Sequence, residues 1–146
     1  MRRSTGRMRV LRRYSRVAMY TFVEHTAELE IELEAGSAEG VLEEALRAFA
    51  ALVDGGDGEQ LERPVVLSAG DLPALLAAWL DELLFLAETE QLVPDGAEIA
   101  VDGTTLDGVV RGHRGEPRPL VKGVTLHRLR FRPENGVWRG RVVLDV

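Results

Sequence analysis

From Glu28 to Glu34 the chain alternates without exception, with Leu29, Ile31 and Leu33 on one side of an extended backbone and Glu28, Glu30, Glu32 and Glu34 on the other. Successive side chains of a strand point to opposite faces, so this stretch is predicted to be a half-buried β-strand. A slip of one residue would turn four carboxylates into the core, and the register is therefore strongly specified. Whatever the chain folds into must supply an apolar layer for Leu29, Ile31 and Leu33.

Two helices can supply it. Ser37 follows Gly36 and can cap a helix whose apolar residues Val41, Leu42, Ala45, Leu46, Phe49, Leu52 and Val53 recur at helical spacing, with Asp54-Gly55-Gly56 ending it. Asp71 caps a second helix running to about Thr89, with Pro73 tolerated in the first turn. Its broad apolar face (Leu72, Leu75, Leu76, Trp79, Leu80, Leu83, Leu84) predicts a helix lying across a sheet. The stretch from Leu72 to Ala87 is broken by Asp81 and Glu82 and is shorter than a bilayer requires, so it reads as a buried helix and no membrane span is expected.

The rest reads as strands. Tyr20 to Val23 precedes the alternating strand, with Glu24 to Ala27 as a turn or kink. A Gly- and acid-rich loop leads to a strand at Pro64–Leu67, followed later by Ala97–Val101, Thr105–Gly112, Val121–Arg132 and Val137–Leu144. Leu129 and Phe131 alternate with Arg128, Arg130 and Arg132, and Asn135-Gly136 is a tight hairpin turn. The order β-β-α-β-α-β-β-β-β, with short late connections, predicts an α+β fold: a mixed or antiparallel sheet packed with two helices, not a parallel doubly wound one.

At 146 residues with 45% hydrophobic but only 5% aromatic residues, the chain is expected to form one core built mainly from Leu, Val and Ala. The absence of cysteine excludes disulfides, thiolate zinc sites and cysteine nucleophiles, and fits a reducing compartment, with the cytoplasm as the expected location. The net charge of −6 conceals an asymmetry, because seven arginines and no acid precede Met19. Residues 1–18 therefore form a basic leader with three readings: a non-native start with Met19 as the initiator, a disordered basic arm, or a targeting peptide. Residues 19–146 form the expected domain, with 11 basic against 24 acidic residues, a net charge of −13. Such a body repels a phosphate backbone, so direct nucleic-acid binding by the folded part is not expected and any link to RNA would run through a protein partner.

The chain lacks a Gly-rich phosphate loop, a Gly-x-Ser-x-Gly elbow and a His-Glu-x-x-His helix, and the spacing of His25, His113 and His127 matches no zinc pattern. The more informative feature is the end of the chain, where Asp145 and the terminal carboxylate of Val146 follow a strand. If Glu28 approaches them from the early strand, the crowded carboxylates would require a cation, and oxygen-only donors suit Ca²⁺ or Mg²⁺. On the residues alone the plainer alternative stands beside it: Asp145 as a solvated terminal group and Glu28 as one of four glutamates on an exposed face. Lys122, a single cation in an apolar strand, reads either as a surface lysine or as a charge partner for that cluster.

Four motifs in order carry a family resemblance covering about Tyr20 to Val146. His25-Thr26-Ala27-Glu28 before the alternating strand, Asp71-Leu72 with Leu83-Leu84, Val121-Lys122-Gly123-Val124-Thr125-Leu126-His127, and the terminal Leu144-Asp145-Val146 resemble the corresponding segments of the archease family. The resemblance implies a metal-binding accessory protein, not an enzyme, that activates the RtcB-type RNA ligase by promoting its guanylylation and turnover in tRNA splicing or RNA repair. It implies metal ligation, usually of calcium, by Glu28, Asp145 and Val146, the last through its backbone or terminal carboxylate. It assigns Lys122 and His25 to activation of the partner. Glu28 stands where the family has Asp, and Leu126 where it has Tyr. A general chaperone-like interaction module and a metal-dependent hydrolase are the rival expectations.

Overall fold

The computed structural model describes residues 8–13, 18–25 and 27–146, and for residues 8–13, 24 and 25 it describes the backbone alone. The strands are β1 (Met8–Arg13), β2 (Met19–His25), β3 (Glu28–Ala35), β4 (Gly56–Ser68), β5 (Leu92–Asp102), β6 (Thr105–Gly115), β7 (Gly123–Glu134) and β8 (Val137–Asp145). The helices are α1 (Ala38–Val53) and α2 (Leu72–Glu90). From β2 onward this is the expected element order. β1 is an addition, drawn from the leader; leader residues 1–7 and 14–17 lie outside the described residues.

The strands form two antiparallel sheets, ordered β1-β2-β3-β8-β7 and β4-β6-β5. Each helix packs against strands of both sheets. That position explains why α2 is apolar around most of its circumference: Leu75, Leu76, Ala77, Trp79, Leu80, Leu83, Leu86 and Ala87 are all buried. The Trp79 indole N–H donates to the Leu42 carbonyl at 2.8 Å, joining the helices inside the core. Both N-caps act as expected, with Ser37 Oγ accepting from Gly40 N at 3.0 Å and Asp71 Oδ1 from Ala74 N at 2.8 Å. The fold class is α+β, as the sequence predicts.

Two expectations about strand bounds need correction. The Gly- and acid-rich stretch before Pro64 is not a loop but the first half of β4, which pairs with β6 from Gly56↔Gly115 onward, with a register shift before Gln60. Its glycines permit close approach of two backbones: a Cβ on Gly58 would lie 2.6 Å from the Arg114 carbonyl oxygen. The stretch Val121–Arg132 is not an uninterrupted strand. β7 begins at Gly123, and its pairing with β8 jumps from Thr125↔Val143 to Arg130↔Arg141, so residues Leu126 to Leu129 bulge opposite a single residue, Val142.

β3 sits in the middle of its sheet with Leu29, Ile31, Leu33 and Ala35 buried. The opposite face is not simply solvated. Glu30 is fully buried and ion-paired to Arg128 at 2.9 Å, while Glu34 pairs with Arg139 at 3.0 Å. The hairpin joining β7 and β8 turns at Asn135 (φ 51°) and Gly136 (φ 84°), the left-handed pair of a two-residue turn.

Candidate functional site at the C-terminal strand end

Because β8 is inserted antiparallel between β3 and β7, its last residues meet the beginnings of both neighbours. Asp145 stands opposite Glu28 on one side and Gly123 on the other, and Glu28 stands opposite His25 of β2. Directly opposed residues of an antiparallel pair share a face, with Cβ atoms about 4.5–5.5 Å apart. The Glu28 and Asp145 carboxylates thus project side by side. Backbone bonds pin the end on both flanks: Lys122 N donates to the Asp145 carbonyl at 2.8 Å, and Val146 N donates to the Ala27 carbonyl at 3.3 Å. Ala27 itself has φ 62°, turning the chain sharply into β3.

The expected site residues therefore converge in part. Glu28, Asp145 and Val146 share one end of the sheet, with Asp145 exposed and Glu28 and Val146 half-buried. Lys122 is adjacent through its backbone, its side chain exposed, and among the described residues its ammonium makes no ion pair. His25 is placed by register alone; its side chain lies outside what is described. One neighbour was missed from sequence: His127, on the bulge of β7, brings Nδ1 to 4.0 Å from Glu28 Oε2. Nothing in its local sequence signals this, because the contact depends on a register break.

The expected ligands at this tip, Glu28, Asp145 and Val146, offer oxygens, the chemistry of Ca²⁺ or Mg²⁺ and not of zinc. Among the described residues no three side chains of His, Cys, Asp or Glu gather closely enough to hold a metal ion. An ion here would need an oxygen of Val146 and water to complete its shell. Two opposed carboxylates and a chain end are the oxygen donors that the register brings to this tip.

A second polar group lies elsewhere. The β-bulge between Pro94 and Gly96 turns Asp95 toward His113, with Oδ2 2.9 Å from Nδ1. They line an open cleft of about 340 Å³ with Gln60, Glu62 and Arg111 on the three-stranded sheet. Charges of both signs alternate there, and Arg111 lies 3.6 Å from Glu98.

Two antiparallel sheets around a helical pair, with acidic and basic residues gathered where the last strand meets the first ones, define a small α+β domain that offers a strand-end tip. The chain belongs to the Archease protein family (MTH1598/TM1083), which matches it over residues 20–146. It is 32% identical over 135 residues to the protein archease of Methanopyrus kandleri, spanning 85% of this chain and 96% of that one. The archease of Archaeoglobus fulgidus is also 32% identical over 135 residues, covering 87% and 98%. The solution structure of Methanobacterium thermoautotrophicum protein 1598 matches with TM-score 0.68 at 28% identity, covering 86% of this chain and 96% of that one. The crystal structure of an archease described as a possible chaperone, from Thermotoga maritima, matches with TM-score 0.62 at 25% identity, covering 84% and 94%.

Proposed function

We propose that this chain is a non-catalytic, cytoplasmic accessory protein that activates an RtcB-type RNA ligase, promoting its guanylylation and turnover in tRNA splicing or RNA repair. The observation that carries the reading is the Glu28↔Asp145 register at a chain end pinned from both sides. Family membership supports it, and the acidic body of the domain favours a protein partner over direct RNA contact.

A divalent cation, Ca²⁺ or Mg²⁺, held by Glu28, Asp145 and Val146, would neutralise the opposed carboxylates and tighten the tip. The chain's own groups supply the remainder. The backbone bonds from Lys122 and Val146 hold the end of β8 in place, so the tip meets its partner already ordered and loses less conformational freedom on binding. Exposed Lys122, tied to Asp145 through its backbone, is the group to contact the ligase.

Mixing the protein with its cognate ligase, GTP and Mn²⁺ is expected to raise the yield of guanylylated ligase, and Asp145→Ala to abolish that rise. No rise with the intact protein overturns the reading. Calcium at a hundredfold excess over its Kd is expected to stabilise the protein by about 2.7 kcal/mol, raising the thermal midpoint by roughly 5–10 °C. Asp145→Ala is expected to remove most of that shift, and equal shifts in both proteins overturn the metal assignment. The description of the Thermotoga maritima relative as a possible chaperone favours one rival, a general chaperone-like module. It predicts suppression of aggregation of unrelated unfolded proteins, undiminished by chelators.

A further inference from the structure

Val23 and Val143 are fully buried, yet neither joins the continuous hydrophobic core around the helices. Thr21 and Glu30 are buried as well. Register puts all four on one face of the five-stranded sheet: Val23 opposes Glu30, Glu30 opposes Val143, and Thr21 opposes Glu32, while the alternate row of Phe22, Ile31 and Val142 belongs to the core. The four therefore lie on the face turned away from the helices, and their burial requires a cover on that side. Toward β8 the cover is Arg128, whose guanidinium reaches from the β7 bulge across β8 to Glu30 at 2.9 Å. Toward β2 a second cover is needed, and the strand beyond β2 is β1.

β1 pairs with β2 over six residues, from Met8↔Glu24 to Arg13↔Met19. Carried through β2 to β3, that register sets Arg9 in the row of Val23 and Glu30, Leu11 in the row of Thr21 and Glu32, and Arg13 in the row of Met19 and Glu34. Val10 takes the core row of Phe22 and Ile31; Arg12, in the row of Tyr20 and Leu33, departs from the pattern. The outer rows thus combine arginine of the leader with glutamate of β3. Strands two apart are about 10 Å from each other, which is about one Debye length at 0.1 M salt and about three at 1 M. The leader brings seven arginines and no acid to a domain of net charge −13.

We propose that the acidic outer face of β2 and β3 is a binding surface for an arginine-rich segment, and that its occupant is this chain's own leader, seated as β1 and held there by charge. Nothing about this seat depends on a ligase. Residues 8–13 then work as part of the domain, in place of a trailing arm or a targeting peptide, and the face opens when its charges are screened. Lifting β1 bares the edge of β2, whose unpaired backbone groups are a template for another strand.

The chain has no cysteine, so Thr21→Cys, at a position 4% exposed, places a single thiol beneath the cover. The rate at which a small maleimide labels that thiol is measured on the full chain, with and without Arg9→Gln and Arg13→Gln, at about 0.05 M and about 1 M salt, on either side of strong screening. Fluorescence of buried Trp79 checks that the core stays folded in every sample. With the native leader at low salt the thiol is expected to be protected, and to label at least about threefold faster at high salt or once both arginines are replaced. The chain without these arginines is expected to show no comparable acceleration by salt. A thiol that labels as fast as an exposed cysteine with the native leader at low salt overturns the cover. A protected thiol whose rate is unmoved by the arginine replacements overturns the hold by charge.

Discussion

Glu44 shows how one residue can set a pH dependence. It is fully buried on α1; its Oε2 accepts from Arg47, and its Oε1 has no hydrogen-bond partner. Burial pushes its pKa above the usual 4.5, and the Arg47 contact opposes that only in part. A carboxyl whose folded pKa is raised favours the fold while protonated, and this preference is lost as pH climbs from the unfolded value through the folded one. Glu44→Met is therefore expected to stabilise the protein at pH 7 by roughly 1–3 kcal/mol, the cost of an unsatisfied buried polar group. Urea denaturation at pH 4 and pH 7 should show the gain at the higher pH and little at the lower. A gain that is equal at both would exclude titration of Glu44 as the cause. Glu134 shifts the other way: Arg132, then Arg130 and Arg139, hold its carboxyl below the ordinary range at the half-buried end of β7.

Among elements, the ends are better specified than the middles. The caps Ser37 and Asp71 and the turn Asn135-Gly136 are local chemistry, and all three occur where the sequence puts them. Asp71→Ala is expected to cost about 0.5–2 kcal/mol through the orphaned Ala74 N–H. Gly136→Ala is expected to cost about 1–2 kcal/mol for a purely conformational reason, because an added Cβ there meets nothing within 4 Å while φ stays at 84°. Urea midpoints measure both, and an unchanged midpoint for Gly136→Ala would mean that the turn relaxes. The interior of β7 was illegible for the opposite reason. Alternation of Leu129 and Phe131 with arginines predicts a regular strand, but the four-residue bulge is stabilised by Glu30, which is about a hundred residues away in sequence, and by Arg141 on β8. The first half of β4 was hidden likewise, since glycine and acid content signals a loop unless a partner strand approaches closely enough to need glycine.

In the molecule as a whole, both helices touch both sheets, so neither sheet has a core of its own. Unfolding is expected to be a single transition. Trp79, buried among the helices, and Trp138, on β8, dominate the fluorescence signal, and circular dichroism follows the backbone. Coincident midpoints are expected, and a fluorescence midpoint separated from the dichroism midpoint would show that the sheets unfold independently. The alternating glutamates, two capped apolar helices and late strand-rich half made the α+β class and element order legible, because periodicity and caps act over a few residues. The motifs containing Glu28, Lys122 and Asp145 were legible as a family resemblance. Their meeting was not, because a strand pattern states which face a side chain takes and not which strand lies beside it. Only the insertion of β8 between β3 and β7 set Asp145 opposite Glu28 and drew His127 to the same end, since contacts between distant segments are decided when the layers pack.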